Sequence, residues 1–181
     1  MTTCIALFRG INVGGRHMVP MADLKWLIER EGGGDVRTYI QSGNAIFRSP
    51  LDDMPALERR LTAAVARRHG FEPRVLILTL DELERAAAGN PFPAASQHPK
   101  HLHLFFLVDR PTRPDVSGMQ ALATATERFA VKGKVLYLYT PDGLGTSKLA
   151  ARVERHLGVQ STARNWRTVT TLLDMARAET S

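Results

Sequence analysis

A single cysteine, Cys4, stands in 181 residues. That count excludes an internal disulfide, and with no Cys-x-x-Cys or Cys/His pattern it gives no structural zinc site either. A reducing compartment, the cytoplasm, is the expected location. No apolar run approaches the ~20 residues that cross a bilayer. No basic stretch precedes an apolar one at the N-terminus, so neither a membrane partner nor a secretory leader is expected. Dense lysine and arginine runs are missing as well. Lys+Arg 24 against Asp+Glu 18 leaves a formal charge of +6, which favours anionic partners. The scatter of those charges argues against a basic arm for nucleic acid. There is no low-complexity segment and no long disordered linker. What is present is ordinary globular composition, 44% hydrophobic and 23% charged, in a chain long enough to bury one core or two small ones.

Hydrophobic periodicity divides the chain into two similar halves. In the first, a strand over 3–9 is followed by a helix opened by Pro20, with Met21, Leu24, Leu27 and Ile28 on one face, and stopped by Gly32-Gly33-Gly34. "DVRTYI" and "NAIFR" read as strands joined in a hairpin through Gln41-Ser42-Gly43-Asn44. A helix with Leu57, Leu61, Ala64 and Val65 ends at Gly70, and "PRVLILTL" is a fourth strand. After the short helix "DELERAAAG" and the loop "NPFPAASQHPK" the order recurs. It runs through strand "HLHLFFLVD", helix "MQALATATE", hairpin "RFAVKG"–"KVLYLYT", helix "TSKLAARVERHLG" and strand "QSTARNW", then a last helix with Val169, Leu172, Leu173 and Ala176 inward. Each half is β-α-β-β-α-β, so the expected class is α+β: two ferredoxin-like (α/β plait) subdomains, 1–80 and 81–181, with additional helices.

Right-handed crossovers make strands one and two of such a unit parallel. The loop Arg9–Arg16 and the hairpin Gln41–Asn44 are therefore expected at one end of the first unit. In the second, the start of the first strand (His101, His103), the start of the helix at Gly145-Thr146-Ser147-Lys148 and the end of the last strand (Arg164, Asn165, Trp166) share an end. The expectation is that these sets close a cleft between the subdomains. The chemistry they offer is binding. Amides of a loop holding Gly10, Gly14 and Gly15 can point at one anion. A helix N-terminus with Thr146, Ser147 and Lys148 adds donors and a cation. Arg9 and Arg164 suit bidentate grip of phosphate or carboxylate, and Asn12, Gln41, Ser42 and Asn44 supply neutral groups for orientation.

Each element also has a plain reading. Gly14-Gly15 matches neither dinucleotide nor P-loop spacing, Gln41–Asn44 suits a bare turn, Ser147 an N-cap, Asn165 a cap of the last helix and Trp166 a core anchor. His98, His101 and His103 have no carboxylate or cysteine beside them in sequence to complete a metal set, so no metal and no cofactor are expected. Cys4 reads as a buried, inert thiol. Asp52-Asp53 and Asp81, Glu82 and Glu84 read as helix-start acids rather than a catalytic pair.

The stretches "ALFRGINVGG…VPMADL", "VRTYIQSGNAIF", "NPF", "PKHLHLFFL", "GTSKL" and "TARNW-TV" closely resemble the bacterial family called domain of unknown function 1697, from about residue 3 to 173. The resemblance implies a pair of ferredoxin-like subdomains and no activity. It carries over Arg9, Gly10, Asn12, Gly14, Gly15, Gln41, Ser42, Gly43, Asn44, His103, Ser147, Lys148, Arg164, Asn165 and Trp166, and departs at Arg167, where that family usually has asparagine. The leading expectation is a protein that binds a small anionic ligand, a nucleotide or other phosphate ester. His103 and Lys148 would be the proton-transfer groups of an enzyme. The alternatives are single-stranded nucleic acid on the sheet faces, with Tyr39 and Phe47 or Tyr137 and Tyr139 as stacking rings, and an interaction scaffold without a ligand.

Overall fold

Cys4, Ile5, Ala6, Leu7 and Phe8 are buried without a break, and a strand withdrawn on both faces belongs at the centre of a sheet. That is the place of β1 (Thr2–Arg9). The computed structural model describes residues 1–50 and 53–179. Contacts divide the chain into two compact units, 1–84 with 171–181, and 85–170. The last turns of the C-terminal helix thus group with the first unit, where Arg177 pairs with Glu84 at 2.8 Å and Arg48 donates to the Glu179 carbonyl.

The first unit continues with α1 (Met21–Arg30), β2 (Gly34–Tyr39), β3 (Asn44–Ser49), α2 (Met54–His69), β4 (Arg74–Thr79) and the start of α3 (Leu80–Ala88). Its sheet order is β2-β3-β1-β4, with every neighbour antiparallel. Cys4, Ala6, Phe8, Phe47 and Ile77 pack on one sheet face against Leu24 and Ile28 of α1 and Leu57, Leu61 and Val65 of α2. The other face, with Ile5, Leu7, Ile46 and Leu76, is equally withdrawn from water. Helix ends follow their caps: Asp53 accepts from the Ala56 N–H at 2.9 Å, and left-handed Gly70 closes α2. Thr79 and Glu82 form a reciprocal capping box on α3. Asp52, read with Asp53 as a helix-start acid, lies outside the described residues.

The second unit repeats the topology with β5 (Leu102–Leu107), α4 (Val116–Leu122), β6 (Arg128–Lys132), β7 (Val135–Tyr139), α5 (Val153–Leu157), β8 (Ser161–Asn165) and the start of α6 (Trp166–Ala178), in order β6-β7-β5-β8. Each unit is therefore a ferredoxin-like α+β plait. Two helices depart from expectation. α4 starts at Asp115, whose carboxylate accepts from the Gly118 N–H, and stops before Thr124. The helix expected from Thr146 is replaced by turns and a 3-10 segment (Ala150–Arg152), leaving five α-helical residues.

Phe47 is fully buried between sheet and helices, and Tyr137 is buried with its hydroxyl donating to the Ala86 carbonyl at 2.6 Å. Neither ring is presented for stacking, because both are withdrawn from water. Among the described residues no helix is long and apolar enough to cross a membrane.

Candidate functional site

The first unit brings its two polar motifs together. Asn12 holds a left-handed φ of 52° and donates through Nδ2 to the Val19 carbonyl at 3.0 Å and to the Gln41 carbonyl at 2.7 Å, while its Oδ1 accepts from the Val19 N–H at 2.8 Å. One side chain thus closes the loop after β1 and ties it to the β2–β3 hairpin. His17 adds a bond to the Gly10 carbonyl and stacks on Phe71, centroids 4.2 Å apart. Asn12→Ala removes three bonds and leaves the N–H of buried Val19 unsatisfied; we expect a loss of about 2–3 kcal/mol in chemical denaturation. A variant that melts like the parent would show that the loop holds without this clamp.

Gly14 and Gly15 answer first to turn geometry. Val13 and Arg16 bridge across them, and both glycines have positive φ, 57° and 72°, as a two-residue hairpin turn of the primed kind requires. Both are exposed, open space surrounds them, and their N–H groups donate to no described residue. Arg9 ends β1 on the sheet face away from α1 and α2, and its partner directly across the β1–β4 ladder is Arg74. This pairing brings two cationic residues to the end of β1 from which the loop departs. Arg74 was missed in the sequence because only the β1–β4 register places it there.

Two expected ligand groups are instead structural. Asn44 is the first residue of β3 rather than a turn residue, is completely buried, and donates to the Tyr39 carbonyl at 3.0 Å and the Ser42 hydroxyl at 3.1 Å. With no surface it meets no solvent-borne ligand. Asn12 is engaged as described. Gln41 and Ser42 remain exposed.

In the second unit His103 lies across from Asn165 on one side of β5 and from Leu138 on the other. Alternation puts all three on the sheet face of Phe105, which packs against α4 and α5. Arg164, one residue away, faces the opposite side with Leu104, so the set is split between two faces. Burial holds the Arg164 guanidinium down to about 10, still a cation at neutral pH. Burial pushes the His103 imidazole down to about 4, with the charge of His101 adding to it, and the buried Nδ1 has no hydrogen-bond partner among the described residues. Ser147 is buried and its hydroxyl caps the 3-10 turn by accepting from the Ala150 N–H at 3.0 Å. Five helical residues, beginning at Val153, supply no dipole at Ser147 or Lys148, so the expected helix N-terminal anion site is absent there. Lys148 is exposed and Trp166 half-buried; Asn165 caps α6, accepting from the Thr168 N–H at 2.9 Å. Arg167 is exposed, so the motif departure falls at the surface.

Among the described residues no three histidines, cysteines or carboxylates gather at metal-binding distance. Cys4 is fully buried, and burial, followed by the charge of Glu82, pushes its thiol up to about 11. It is a core atom rather than a nucleophile.

A family model described as "Protein of unknown function (DUF1697)" matches residues 1–137; the GTSKL and TARNW motifs lie beyond that stretch. No curated protein matches the chain. Among solved structures, the conserved bacterial protein SP0830 from Streptococcus pneumoniae is similar over 97% of this chain and 98% of that one, with a TM-score of 0.68 and 24% sequence identity. At that identity the likeness extends to the fold.

Proposed function

For a chain that belongs to the DUF1697 family of proteins of unknown function, we propose that the activity is binding of a small anionic ligand, a nucleotide or other phosphate ester. The observation that supports this is the pairing of Arg9 with Arg74 across the β1–β4 ladder, at the strand end from which the loop carrying exposed Gly14 and Gly15 departs. Two forks at one corner suit a phosphate, which accepts bidentate bonds from each, and Asn12 fixes the loop before any ligand arrives, which lowers the ordering cost. Open space around the two glycines lets an oxygen approach the backbone closely.

A thermal-shift screen of nucleotides and phosphorylated metabolites tests the reading. A ligand at 100 times its Kd stabilises by about 2.7 kcal/mol, and that gain should vanish in Arg9→Ala and in Arg74→Ala. A broad panel without any shift, or a shift that both variants retain, would remove the proposal and leave the loop as architecture.

A further inference from the structure

Trp26 is 41% exposed on α1, while Leu24, Leu27 and Ile28 of the same helix are buried. The surface around this indole is organised. The guanidinium of Arg30, one turn on, stands 5.0 Å from the ring centroid, and that of Arg68, from α2, stands 4.7 Å from it. Between the two helices lies a concavity of about 340 Å³, within the size range of small-molecule sites. Leu27 and Ala64 form its floor, Trp26 a wall, and Arg30, Arg67, Arg68 and the Glu31 carboxylate its rim.

The charges there do not balance. Asp23 takes Arg68 through two bonds, at 2.9 and 3.1 Å. The Glu31 carboxylate is shared between Arg60 at 3.2 Å and Arg67 at 3.6 Å. Arg30 has no carboxylate partner among the described residues. Four guanidiniums meet two carboxylates. A guanidinium stacked on an indole still offers its N–H edge for bidentate bonding. A phosphomonoester carries about −1.5 to −2 at neutral pH, which matches this excess better than the single charge of a carboxylate.

The geometry points to a binding site for a small aromatic phosphomonoester, its ring against Trp26 and the guanidiniums over it, its phosphate between Arg30 and Arg67. The site lies on the helix-covered side of the first sheet, whereas Arg9 and Arg74 extend from the other face. It stands independently of the ligand proposed above.

The test titrates the full chain with phenyl phosphate, adenosine 5′-monophosphate, inorganic phosphate and phenol, following tryptophan emission and heat. Phenyl phosphate should quench saturably, and inorganic phosphate and phenol should each bind at least about tenfold more weakly. Adenosine monophosphate binding tighter than phenyl phosphate identifies a nucleotide as the source of the phosphate; the reverse order identifies a plain aryl phosphate. Trp26→Phe should abolish the quench, which separates this indole from Trp166. Arg30→Ala with Arg67→Ala, both at exposed positions, should weaken phenyl phosphate about tenfold or more, and the milder Arg30→Gln should weaken it in the same direction. Arg113→Ala, at an exposed position of the second unit, should leave the titration unchanged. Absence of saturation, equal binding of inorganic and phenyl phosphate, or undiminished affinity in both the double variant and Arg30→Gln would overturn the assignment.

Discussion

Gly43→Ala should destabilise the first unit by about 3 kcal/mol, because strain and overpacking act together. Gly43 holds φ at +85°, and a methyl group built on it meets the Ile11 side chain at 2.5 Å and the Phe8 Cβ at 2.8 Å. Both neighbours are buried core residues, 1% exposed each. The backbone is committed as well, since the Gly43 carbonyl accepts from the Phe8 N–H at 2.8 Å. Gly15→Ala is the matched control: its φ is +72° but nothing stands within 4 Å, so it bears strain alone, about 1 kcal/mol. Urea denaturation of the two variants should therefore give clearly separated midpoints with the same slope. Equal midpoints would show that Ile11 gives way freely and that the hairpin is not packed as described.

The same residue shows what the sequence could and could not reveal. The strand and helix order was legible because burial imposes its period on the residues. Leu57, Leu61, Ala64 and Val65 recur at helical spacing and do line one face of α2. Two copies of that order, with right-handed crossovers, are enough to bring the Arg9–Arg16 loop beside the Gln41–Asn44 hairpin. Register is different information. Whether Asn44 ends a turn or begins a strand depends on its pairing with Tyr39, and no local pattern encodes that partner. Arg74 stayed invisible for the same reason. A one-residue step also decides which sheet face a side chain takes, so Arg164 and Asn165 were read as one set although they point apart. The helix expected at Thr146 failed through a competing local preference. The hydroxyls of Thr146 and Ser147 bond to nearby backbone, at the Asp142 and Gly143 carbonyls and the Ala150 N–H, and such bonds favour turns over helix.

Stability should fall as the pH drops from about 6.5 to about 4, by up to about 3 kcal/mol, with His103 as the source. Its folded pKa, about 4, lies below the ordinary value of 6.5 because burial disfavours the imidazolium, with the charge of His101 adding to that. In this window the unfolded chain binds a proton that the folded chain refuses, so the loss is complete below about 4 and absent above about 6.5. The groups around His103 sharpen the effect: Leu138 and Asn165 flank it across the sheet, and neither is an anion that would rescue the charge. Asp23 and Asp115, held below the usual carboxylate value of 3.8 chiefly by bonds from Arg68 and from the Gly118 N–H respectively, also lose their contribution in acid. Their loss comes as pH falls below that value, through their own lowered pKa values, and so in a separate range. Denaturant midpoints at pH 7 and pH 4.5 should therefore differ in the parent and converge in His103→Leu, which replaces a buried imidazole lacking an Nδ1 partner among the described residues with an apolar side chain. Parallel pH profiles for the two would sink the assignment. A convergent pair carries a consequence for binding: an imidazole that stays neutral at pH 7 brings no positive charge to an anion, so His103 is not the cation of a phosphate site.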